Sequence, residues 1–129
     1  TSFLDGAPGK ITTHYRRDRE MVIRIRDLLR AGLPDTLSLD DIADRLHLSP
    51  RTIHRRLEEE GSSFRGIKDA LRRDMALARL SKTKDSIAQV AADLGYADTS
   101  AFYRAFVEWT GMAPVHYRRQ WMGKLTDTP

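Results

Sequence analysis

The stretch SLDDIADRLHLSPRTIHRRL (residues 38–57) returns in altered form as SIAQVAADLGYADTSAFYRAF (86–106), and this internal duplication decides the fold. Ser38 pairs with Ser86, Leu39 with Ile87, Ile42 with Val90, Ala43 with Ala91, Leu46 with Leu94 and Leu48 with Tyr96. One extra residue in the second turn then brings Ile53 onto Phe102, Arg55 onto Arg104 and Leu57 onto Phe106. Two short helices crossing at a steep angle need a small residue where they touch and apolar residues around it, which is what Ala43 and Ala91 and their neighbours supply. The turn must reverse the chain; Gly95 does so cheaply in the left-handed region, and His47 holds the same place less comfortably in the first copy. One such pair would suit any helical bundle. Two pairs sharing the small residue, the cap and the basic position predict two helix-turn-helix units.

The flanking chain follows a helical grammar. Residues 1–15 carry Gly6, Pro8 and Gly9 without helical period and read as a linker or tail. From about Arg17 to Ala31, Met21, Val22, Ile25, Leu28 and Leu29 make an apolar stripe opposite Arg24, Arg26 and Asp27. Ser38 heads a helix over Leu39–Leu46, and Ser49 caps one that starts at Pro50 and ends near Gly61. Ser62 or Ser63 starts a longer helix, with Phe64, Ile67, Leu71, Met75 and Ala78 in period to about Ser81. Ser86 with Gln89 predicts a capping box before Ile87–Leu94. Asp98 or Thr99 starts the next helix, to about Thr110, and Pro114 the last, through Trp121, with Gly123–Pro129 a frayed tail. The expected fold is all-α: seven helices forming two helix-turn-helix subdomains (16–62 and 84–122) on a linker helix (63–83).

Composition bounds the chemistry. The 129 residues hold no cysteine, which removes disulfides and thiolate metal sites. Four scattered histidines, no nucleotide-binding glycine loop and no paired carboxylates leave no enzyme, metal or cofactor constellation to argue for. No apolar run approaches spanning length and no signal peptide opens the chain, so a soluble, cytoplasmic protein without a membrane partner is expected. The first residue is Thr1 rather than Met, which reads as a fragment with something upstream missing. A formal net charge of +4 says little until the arginines are placed on one face.

Residues 86–119, SIAQVAADLGYADTSAFYRAFVEWTGMAPVHYRR, resemble the signature of the AraC/XylS family of transcription regulators. The match is carried by Gly95-Tyr96, Ser100-x-Phe102-x-Arg104-x-Phe106, Gly111-x-x-Pro114 and Tyr117-Arg118; LSPRTIHRRLEEEGSSF (48–64) is similar to that family's upstream half. Together they cover about residues 17–121. Ala113 departs from the pattern, standing where the family usually has Ser or Thr before the proline. The resemblance implies two helix-turn-helix subdomains on a linker helix and sequence-specific regulation of bacterial transcription, often activation through RNA polymerase. It also implies that any effector-binding or dimerisation domain lies upstream of Thr1.

A helix-turn-helix places its second helix in the major groove, which displays the full donor and acceptor code. With Ile53 and Leu57 inward, the first unit offers Arg51, Thr52, His54 and Arg55 to double-stranded DNA; with Phe102 and Phe106 inward, the second offers Thr99, Ser100, Tyr103 and Arg104. Each of Arg51, Arg55 and Arg104 can fork onto guanine. Phosphates are expected at the helix starts headed by Ser38, Ser49 and Ser86, where free amides and the positive dipole end meet. Arg118 and Arg119 are the clamp that the family pattern implies; Arg72, Arg73, Lys82 and Lys84 are weaker candidates on a face that is usually just solvated. A linker of some 18 residues spans roughly 27 Å, against about 34 Å for one turn of B-DNA, so DNA bending or unequal engagement is expected. The first unit should then supply more discrimination and the second more docking. The alternative is a helical protein-interaction module with a basic surface, which would not require arginines at equivalent positions of two repeats.

Overall fold

Seven helices follow one another in the computed structural model, which describes residues 19–127 and side chains as far as Trp121; among these residues there is no strand. They are α1 (Glu20–Gly32), α2 (Leu39–Leu46), α3 (Pro50–Glu59), α4 (Phe64–Lys82), α5 (Ile87–Asp93), α6 (Thr99–Thr110) and α7 (Pro114–Asp127). The expected linker at 1–15 and the expected helix start near Arg17 lie outside the described residues.

The chain divides into two units. The first comprises residues 19–31 with Leu37–Lys68, and the second Gly32–Thr36 with residues 69–127. In the first, Met21, Ile25 and Leu29 of α1 are buried, as are Leu37, Ile42, Ala43, Ile53, Leu57 and Ile67. In the second, Ala76 and Leu80 of α4, Val90, Ala91 and Leu94 and the rings of Phe102 and Phe106 form one cluster, with Leu33 and Tyr117 packed against it. Of the apolar stripe expected along α4, Ile67 and Leu71 are buried, Met75 is half-buried against the second cluster and Ala78 is half-buried. The fully buried positions late in α4 are Ala76 and Leu80, which the sequence reading did not place in the stripe.

The duplication extends to single hydrogen bonds. In the first turn His47 N–H donates to Asp44 O and Leu48 N–H to Ala43 O; in the second Gly95 N–H donates to Ala92 O and Tyr96 N–H to Ala91 O. Both turns are thus closed by the same pair of reverse bonds that end helices at a left-handed residue. His47 adopts φ 57° and Gly95 φ +88°. Caps agree less uniformly. Ser38 and Asp41 make a reciprocal capping box that the sequence reading did not anticipate, and backbone and side-chain bonds from Ser38 hold the Asp41 carboxyl below its usual pKa. The box expected at Ser86 is only half formed: Ser86 Oγ accepts from Gln89 N–H, but the Gln89 amide turns forward to Asp93 Oδ1 at 2.8 Å. Ser63, not Ser62, accepts from Gly66 N–H ahead of α4, and Asp98, not Thr99, caps α6. α7 continues to Asp127, past the expected end at Trp121. Gly123 alone costs a helix only about 1 kcal/mol, and nothing as obstructive as proline occurs until Pro129.

One long-range cap has no local signature in sequence. The Glu60 carboxylate accepts from Met21 N–H at 2.9 Å and from Val22 N–H at 2.8 Å, two first-turn donors of α1 that have no partner within their own helix. Glu60→Ala is expected to lower stability by about 1.5–3 kcal/mol, the worth of hydrogen bonds to a charged group whose loss leaves part-buried donors unmet. Glu60→Gln should lose less. Urea unfolding of the two variants checks both values.

Candidate nucleic-acid interface

Each helix-turn-helix presents its second helix with one side buried and the other open. On α3, Ile53 and Leu57 are inward at 0% and 1% exposure, and Arg51, His54 and Arg55 stand exposed. Thr52 is half-buried and partly engaged at the helix start: Ser49 Oγ accepts from Thr52 N–H at 3.1 Å and donates to Thr52 Oγ1 at 2.9 Å. His54 Nε2 lies 3.5 Å from Glu58 one turn on, with both side chains solvated. On α6, Phe102 and Phe106 are inward, and Thr99, Ser100, Tyr103 and Arg104 are exposed. No hydrogen bond or ion pair to another described residue engages Arg51, Arg55 or Arg104, so their guanidinium donors remain available.

The helix starts expected to hold phosphate are not alike. The first turn of α2 carries Asp40 and Asp41, and the Asp41 carboxylate already accepts the Ser38 N–H at 2.9 Å. Two carboxylates oppose an incoming phosphate there. The first turns of α3 and α5, behind Ser49 and Ser86, hold no acid.

Basic side chains of the second unit divide into engaged and open ones. Arg79 donates to Asp85 at 2.9 Å and to Asp93 at 2.9 Å, tying the end of α4 to α5. Gln89, then Arg79, holds the Asp93 carboxyl below its ordinary pKa. Arg72 lies over the Tyr96 ring at 4.6 Å, and burial, opposed by Arg72, raises the Tyr96 phenol above its usual range. Arg73 pairs with Asp74 at 3.3 Å. Arg118, expected as a phosphate clamp, is half-buried: its Nε donates to the Leu80 carbonyl at 3.1 Å and its Nη2 to that of Arg79 at 3.5 Å. Those are last-turn carbonyls of α4, and that of Arg79 also accepts from Thr83 N–H at 3.1 Å and Thr83 Oγ1 at 2.8 Å. Arg119, Lys82 and Lys84 are exposed. Sequence reading missed the attachments of Arg79 to Asp93 and of Arg118 to Leu80 because those partners lie 14 and 38 residues away.

Among the described residues no group of three potential ligands could hold a metal ion, and no helix is long and apolar enough to cross a membrane.

A helix-turn-helix domain family model matches residues 42–120, which takes in both turns. The chain belongs to the AraC/XylS family. The chain is 37% identical over 98 residues to an ornithine utilization regulator of Pseudomonas aeruginosa, covering 76% of this chain and 29% of that one. A DNA-binding transcriptional dual regulator of Escherichia coli K-12 superposes with a TM-score of 0.75 at 27% identity, over 80% of this chain and 93% of that one. The fold is shared with an AraC-type DNA-binding domain-containing regulator from Chromobacterium violaceum, at TM-score 0.71 and 24% identity over 79% and 92% of the two chains. The chain spans about three tenths of the length of the curated relatives it matches. Residues 42–120 are a helix-turn-helix DNA-binding domain of the AraC/XylS type.

Proposed function

We propose that this domain recognises specific sequences in double-stranded DNA by laying α3 and α6 in successive major grooves, with Arg51, Thr52, His54 and Arg55 on one and Thr99, Ser100, Tyr103 and Arg104 on the other. The observation that carries the reading is the recurrence of an open face with an unengaged arginine (Arg55, Arg104) opposite a fully buried pair (Ile53 and Leu57, Phe102 and Phe106). Arginine forks onto the O6 and N7 of guanine, and serine and threonine read with less discrimination. A bacterial cytoplasm, activation through RNA polymerase, and an effector or dimer surface in the extra length that the relatives possess complete the proposal.

Arg55→Ala tests base reading. It should weaken cognate DNA by about 1–3 kcal/mol and leave random DNA nearly unaffected. Equal loss on both would reassign Arg55 to the backbone.

Phosphate docking is assigned to Ser49, Ser86 and Arg119 ahead of Ser38 and Arg118, whose neighbours are acidic in the one case and whose guanidinium is engaged in the other. Arg119→Ala should lower the slope of log K against log salt by about 0.9. Arg118→Ala should leave that slope unchanged and weaken binding by freeing α7 from α4. Titrations between low and physiological salt separate the two variants.

A further inference from the structure

Two large apolar side chains stand exposed on α6, Tyr103 at 37% and Val107 at 42%. Four residues apart, they are neighbours on one stripe of the helix. Phe102 and Phe106, the residues just before them, are fully buried, so the stripe turned outward holds Ser100, Tyr103, Arg104 and Val107. The first repeat supplies an internal comparison. Counting from the match of Ile53 with Phe102, the equivalents of Tyr103 and Val107 on α3 are His54 and Glu58, a polar pair at 3.5 Å. The second repeat has replaced that polar pair by an apolar one on the face that carries its arginine.

Single exposed apolar residues are ordinary on protein surfaces. This pair is adjacent, and it continues the face of Arg104. Two side chains are too few for a protein partner, which covers roughly 800 Å² on each side of a stable contact. The major groove has one apolar feature of matching size, the C5 methyl of thymine. We propose that Tyr103 and Val107 form an apolar seat for a thymine methyl next to the base pair that Arg104 addresses. The second unit then discriminates through shape and apolar contact, where the first does so through its two arginines. The inference rests on the reading of α6 as a groove helix and assigns it a base class.

The test uses this chain and the duplex it selects from a random pool, with each thymine opposite the second unit replaced singly by deoxyuridine, which lacks only the methyl. At one position the replacement should weaken binding about fourfold, the worth of one buried methyl group. Val107→Ser should abolish that difference between thymine and uracil, and Arg55→Ala should preserve it. Both side chains are exposed, so the fold should survive, as far-UV circular dichroism can verify. The wild-type comparison stands even if a variant does not fold. Indifference to uracil at every position, a selected half-site without thymine, or a folded Val107→Ser variant that still distinguishes the two bases would each overturn the proposal. A selected motif that depends on Arg55 and Arg104 but ignores uracil leaves the groove placement intact and removes only the methyl seat. Failure to select any motif removes both.

Discussion

Phe106→Ala is expected to destabilise the second unit by about 3–5 kcal/mol, the usual cost of truncating a buried phenylalanine. Phe106 is fully buried, and its ring meets three others: Phe102 at 5.8 Å, Trp109 at 6.2 Å and Tyr117 at 5.5 Å between centroids. Each such pair is worth about 0.5–1.5 kcal/mol beyond the area it buries. Alanine would leave a cavity among rings contributed by α6 and α7, which cannot collapse without moving both helices. A small domain holds only about 5–15 kcal/mol in all, so the change removes a large part of it. Urea unfolding and hydrogen exchange in α5–α7 measure the loss. The equivalent residue, Leu57, has no ring partners, and Leu57→Ala should cost less. A loss below about 2 kcal/mol in Phe106→Ala would contradict the placement of this ring at the centre of the cluster.

Gly95→Ala is expected to cost about 2–5 kcal/mol, from two separate sources. The residue sits at φ +88°, where a side chain costs about 1–2 kcal/mol. His47 at φ 57° in the matching turn shows that this conformation alone is tolerable. Gly95 differs in what surrounds it. A Cβ there would lie 2.7 Å from the Pro34 carbonyl oxygen and 2.7 Å from Thr36 Cγ2, so backbone must move to admit it. Glycine is therefore required by close approach as well as by conformation. Gly111, at φ +79° with nothing within 4 Å of a built Cβ, provides the control: Gly111→Ala should show the conformational cost alone. Thermal unfolding compares the two variants. Equal losses would mean that the approach of residues 34–36 imposes no constraint.

How much of this was legible in the sequence follows from the range of each interaction. The helices were readable because their signals are local: Ser38, Ser49 and Ser86 before apolar periods, Pro50 and Pro114 at first positions, and Gly95 and Gly111 after the last turns. The duplication added the pairing of inward residues, and Ile53, Leu57, Phe102 and Phe106 are all buried. Periodicity could not foresee the transfer of burial along α4 from Ile67 and Leu71 to Ala76 and Leu80, since it assumes one core per helix. Nor could it find Glu60 capping α1 or Arg118 engaging α4, whose partners are 38 or 39 residues distant. The candidate base-reading residues were legible as outward positions, each exposed in the structure except half-buried Thr52. What each side chain does there was less so. Arg118 and Arg119 are adjacent and identical in chemistry, and only packing separates a side chain engaged by carbonyls from one in solvent. Similarly, Val107 reads as an ordinary apolar residue of an amphipathic helix until burial shows it on the open side.

Selection of bound duplexes from a random pool tests the central claim most directly. Two helices reading two grooves should enrich a bipartite motif, one half losing its information in Arg55→Ala and the other in Arg104→Ala. A pool that yields no motif, or a motif that neither substitution alters, would contradict it.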